Sequence, residues 1–143
     1  MQRAFTLLEF LLVVGIMAIL VMITLPLSLD FYKNQQLDSA AQEMVQILRT
    51  SQLKAMAVER DASFGIYFGN SSYTLFKGDS YVGRDVQYDE VFSLPQAVAI
   101  SGIQEIVFSK YKGMPNNTGV ETVSCGGKNR LIRINELGRI NLE

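Results

Sequence analysis

Between Phe10 and Leu29 the chain reads FLLVVGIMAILVMITLPLSL, twenty residues without a charge. Wound as a helix at ~1.5 Å per residue, such a run is about as long as the ~30 Å hydrocarbon layer of a bilayer is thick. A segment of this kind must be covered by lipid, by a core or by other apolar helices. Of the first 29 residues only Arg3 and Glu9 are charged, so the apolar mass lies at one end of a 143-residue chain. The remainder is a polar-surfaced stretch of about 110 residues, enough for one small domain. A cleaved secretory signal would need small residues at −3 and −1 after the apolar run. Pro26-Leu27-Ser28-Leu29-Asp30 stands there instead, and no such site is present.

Glu9 distinguishes the remaining possibilities. A carboxylate at mid-bilayer costs about 2.5–3.5 kcal/mol, and less near an interface. Alone, it reads as a headgroup-level residue of an isolated anchor. Its neighbours give it another setting. Arg3-Ala4-Phe5-Thr6-Leu7-Leu8-Glu9, followed by the apolar run, closely resembles the type IV prepilin signature, and Pro26 falls where pilins carry a proline. The resemblance implies cleavage between Ala4 and Phe5 by a prepilin peptidase and N-methylation of Phe5. It also implies that Glu9 faces the Phe5 amine of a neighbouring subunit, a pairing that makes a buried charge tolerable. The chain departs from the family at Ala4, where Gly is preferred. Pro26 removes a helical hydrogen bond and is expected to kink or open the preceding turn, with Gly15 as a second weak point.

After Asp30 the chain turns polar but keeps a helical period. Leu37, Ala41, Met44, Leu48 and Ala55 form one apolar stripe, with Asn34, Gln35, Asp38, Gln42, Glu43, Gln46, Arg49 and Lys54 on the other face. One helix is expected from about Phe5 to Arg60. From Ala62 the pattern is that of strands: a hairpin of 64–68 and 73–76 turning at Gly69-Asn70, then 97–100, 105–108, 120–125, 130–135 and 139–142. Residues 78–90 are acidic and poorly periodic, and read as a loop or weak strand. The expected fold class is α+β: a long N-terminal helix, apolar in its membrane half and amphipathic in its second, packed on an antiparallel sheet as in pilins. The expected divisions are a leader at 1–4, an assembly and transmembrane helix at 5–29, an amphipathic helix at 30–60 and a β-rich head at 61–143.

Little in the head points to catalysis. Histidine is absent, which removes the commonest general base and metal ligand. Asp89-Glu90 is an adjacent acid pair that reads as solvated loop, and Cys125 reads as a small buried hydrophobe. Asn70-Ser71-Ser72 and Asn116-Asn117-Thr118 match glycosylation sequons that carry little weight here. No nucleophile-elbow, phosphate-loop or metal-ligand pattern occurs. No enzyme activity, cofactor or metal is expected.

The closing segment Arg130 to Leu142 resembles the last strands of the GspH/FimT-like minor pseudopilins. That resemblance implies a structural minor subunit of a type II secretion pseudopilus or type IV pilus, with other pilin or pseudopilin subunits as partners. It also implies residence in the bacterial inner membrane, single-pass with the head outside the cytoplasm, before entry into the fibre. The alternative is a DNA-receptor minor pilin using Lys128, Arg130, Arg133 and Arg139. From Asp61 to Glu105 there are six acids against two bases, and from Ile106 to Glu143 six bases against three acids. Strand alternation puts Arg130 and Arg133 on opposite faces, so nucleic-acid binding is not expected.

Overall fold

The computed structural model describes residues 6–143, apart from the side chains of 24–28. Its first element, α1 (Leu7–Met56), is a 50-residue helix opened by Thr6, whose side chain accepts a hydrogen bond from the Glu9 N–H at 3.3 Å. Thr6 has extended backbone angles, so it satisfies one of the donors that the first turn leaves unpaired. Helical backbone runs through position 26 without a break. It stops four residues short of the expected Arg60. Val58 and Arg60 take φ of 53° and 54°, left-handed angles incompatible with helix continuation.

The head holds eight strands. Strands β1 (Phe64–Phe68) and β2 (Ser72–Lys77) form the expected hairpin, closed by the Gly69 N–H on the Ser72 carbonyl. They belong to one antiparallel sheet of order β3-β2-β1-β5, with β3 at Glu90–Ser93 and β5 at Glu105–Phe108. A second antiparallel sheet has the order β4-β6-β7-β8, from β4 (Val98–Ser101), β6 (Gly119–Cys125), β7 (Lys128–Ile134) and β8 (Ile140–Leu142). The α+β class and the helix-on-sheet packing are as expected, but the single sheet is two. Residues 78–89 are loop, as expected, whereas β3, absent from the sequence expectation, starts at Glu90 and is ordered by pairing with β2.

The core lies between α1 and the inner faces of both sheets. Leu37, Ala41, Met44, Leu48 and Ala55 are all buried, with Ala40, Val45 and Ser51 beside them. They meet Phe64, Ile66, Phe68, Tyr73, Leu75, Ile106 and Phe108 from the first sheet and Val123, Ile132, Ile134 and Ile140 from the second. Ile66 sits opposite both Leu75 and Ile106, so three apolar side chains form a row across the sheet.

The outer face of the first sheet has its own small core. Residues 78–89 fold back over it, and the Tyr81 ring stacks on Tyr67 with centroids 3.9 Å apart and meets Phe76 edge-on at 5.6 Å. Gly65 is needed beneath Phe76, because a Cβ there would lie 2.6 Å from the ring and 2.8 Å from the Ile106 carbonyl.

Candidate functional site

The helix changes character along its length. From 7 to 23 every large apolar side chain is exposed, from Leu7 at 82% down to Val13 at 45%. From Leu37 onward one face is covered by the head. The chain therefore carries a bare apolar rod whose covering comes from outside the described residues. Among the described residues no helix is long and apolar enough to cross a membrane. The uncharged run of the sequence continues through 24–28, whose side chains lie outside that description.

Glu9 stands exposed in the first turn of this rod, where the helix macrodipole favours a negative charge. Ala4 and Phe5 lie outside the described residues. So does the Pro26 side chain, although its backbone is helical.

The basic residues of the head do not converge. On β7 the even positions face inward, with Ile132 and Ile134 buried, and Arg130 on that side reaches Asp38 of α1 at 2.7 Å. Arg133 points the other way, and its fork meets the Glu143 carboxylate at 3.1 and 3.3 Å. That contact favours both charged forms, holding the Glu143 carboxyl below its usual range and raising Arg133 further. Lys128 and Arg139 are exposed, and the Arg139 N–H donates to the Asn135 side chain at 2.8 Å. Two of the four cations are thus engaged by acids, on opposite faces of one strand.

The adjacent acids also separate. Asp89 pairs with Arg84 at 2.8 Å, and Glu90 with Lys54 at 2.6 Å. Arg84 in turn lies 3.7 Å over the Tyr81 ring. These contacts are structural and hold 78–89 onto the sheet. Cys125 is buried as a free thiol. Among the described residues no group of three or more metal-capable side chains comes together.

One polar residue escapes sequence reasoning. Glu121 on β6 is 1% exposed, and its carboxylate accepts the Ile103 N–H at 2.7 Å. Burial pushes its pKa up to about 7, against the opposing effect of that hydrogen bond. The only sequence signal is position: Glu121 keeps step with Val123 and Cys125, which face the core.

No protein-family model matches the chain, and no curated protein matches it. Among solved structures it is similar to the minor pseudopilin EpsH from the Type 2 Secretion System of Vibrio cholerae. The identity is 12%, with a TM-score of 0.59, over 76% of this chain and 96% of that one. The likeness is one of fold: both chains share the architecture of a helix packed on antiparallel β-sheets.

Proposed function

We propose that a chain with the fold of a minor pseudopilin acts as one, as a non-catalytic subunit of a type II secretion pseudopilus or a related type IV pilus. The observation that carries this reading is the abrupt change along α1, from a bare apolar rod to a helix seated on the head. Each exposed Leu, Ile, Val or Phe that leaves water for apolar surroundings contributes about 1.5–3 kcal/mol. A row of them favours lipid before assembly and neighbouring helices afterwards. The prepilin-like sequence before the rod supports cleavage between Ala4 and Phe5 by a prepilin peptidase. The mature chain then starts with the Phe5 amine, which gives Glu9 of an adjacent subunit a cationic partner. On this reading the head lies outside the cytoplasm, and the chain's partners are the membrane, the peptidase and other pilin-like subunits.

The test is Glu9→Val in the full-length chain, expressed with the other subunits of its machine. Membrane insertion stays intact or improves, because a carboxylate has been removed from the apolar segment. Co-isolation with the other subunits falls. Unchanged co-isolation contradicts the pairing and favours an isolated anchor.

A further inference from the structure

The chain passes between the two sheets of the head three times, and its shortest passage, from β4 to β5, runs through Gly102, Ile103 and Gln104. The crossing is fixed on both sides. The Gln104 carbonyl accepts the Phe68 N–H at 2.9 Å, which ties it to the first sheet. The Ile103 N–H donates to Glu121 Oε2 at 2.7 Å, which ties it to the second. The packing here is close: a Cβ at Gly102, whose φ is +140°, would overlap the Val120 carbonyl and lie 2.8 Å from Glu121 Oε2. The Ile103 side chain lies against Gly119, the first residue of β6.

Glu121 makes this junction without a countercharge. The elements packed around it carry several ionic groups, each engaged elsewhere or on another face. On β7, Arg130 is two residues along from Ile132, the residue opposite Glu121, and is held by Asp38 of α1. Arg133 is on the far face with Glu143. On α1, the Arg49 guanidinium reaches the Ile140 carbonyl, and Lys33 lies against Gly126 at the far end of β6. β4 has no titratable residue, and Glu105 lies beyond the crossing on β5. None of these groups acts on the Glu121 carboxyl, which is shifted only by its burial and by the Ile103 N–H.

We propose that Glu121 is a proton-operated latch on this β4-to-β5 crossing, shut while the carboxyl is neutral and loosened when it gives its proton to solvent. A neutral carboxyl accepts the Ile103 N–H and remains buried at little cost. An ionised one in the same place lacks both water and a cation, so the state that opens the crossing and hydrates it gains population.

The sign follows from linkage. Glu121 is raised to about 7 when closed and has an ordinary value of 4.5 when exposed. Its contribution to holding the crossing is therefore complete below 4.5 and is lost as pH rises through about 7. The experiment is amide hydrogen exchange, corrected for intrinsic rates, on the full chain in detergent micelles between about pH 4.5 and 8, an interval that brackets both values. Protection at Ile103 is expected to fall on the order of a hundredfold over that interval and to level off above about pH 7. Leu75, in the middle of β2, serves as the reference and keeps its protection. Glu121→Gln retains an acceptor for the Ile103 N–H without the charge, and its protection at Ile103 is flat with pH. Carboxyl NMR of the unaltered chain gives an independent reading, with Glu121 titrating near 7. Titration in the ordinary carboxylate range overturns the proposal. So does pH-independent protection at Ile103, a parallel loss at Leu75, or a Gln variant that follows the unaltered chain.

Discussion

Tyr81 has one face on the Tyr67 ring and the other under the Arg84 guanidinium, with its edge toward Phe76. Val82 beside it is 94% exposed and touches solvent alone. Neighbours in one loop thus carry different weights. Tyr81→Ala removes two aromatic contacts and uncovers Phe76, and is expected to lower unfolding stability by about 1–3 kcal/mol. Val82→Ser is expected to stay within about 0.5 kcal/mol. Urea unfolding of the detergent-solubilised chain measures both, and equal effects would mean that the loop does not cover the sheet. Little of this is legible in the sequence. The acidic residues of 78–90 suggest solvation, whereas the aromatic and the arginine that organise the loop reveal themselves only against a sheet face. Glu121 is hidden for the opposite reason, since its residue type points to solvent while its register points inward.

At the scale of elements, periodicity is the reliable guide. All five residues of the stripe from Leu37 to Ala55 are buried, because helical spacing alone decides which side chains share a face. The helix ends four residues before its expected stop, since no glycine or proline marks the end and a distant residue of the head meets it there, the Tyr111 N–H donating to the Ala55 carbonyl at 3.3 Å. β3 escapes a reading of the sequence because four residues that begin inside the Asp89-Glu90 pair give little local signal, and pairing with β2 decides the matter. The division of α1 yields a prediction of its own. Leu48→Ala opens a cavity against the sheets and should cost the head about 2–5 kcal/mol. Leu11→Ala, on the bare rod, should leave head unfolding unchanged and weaken recruitment to other subunits. Urea unfolding paired with co-isolation separates the two, and a destabilised head in the Leu11 variant would mean that the rod packs on the head.

The molecule as a whole joins a legible end to a less legible one. The prepilin-like residues up to Glu9 and the uncharged run after them stand in consecutive sequence and can be read there. Consecutive strands pair within each sheet, but the two-sheet division depends on β1 pairing with β5 and β4 with β6, and Gly102–Gln104, one of the passages between the sheets, looks like any other turn. The charge asymmetry does map onto the architecture: the acid-rich half of the head builds most of the first sheet and the base-rich half most of the second. Its cations are partly spent on internal acids, which turns attention back to the rod as the working surface.

What covers α1 between 7 and 23 decides between assembly and isolated anchoring, and site-specific photo-crosslinking from Leu11 and Val14 in native membranes reads this directly. Crosslinks to other pilin-like subunits are expected, from a chain that has lost residues 1–4, and they should be depleted by Glu9→Val. Crosslinks to lipid alone, unaffected by Glu9→Val, would contradict assembly through this helix.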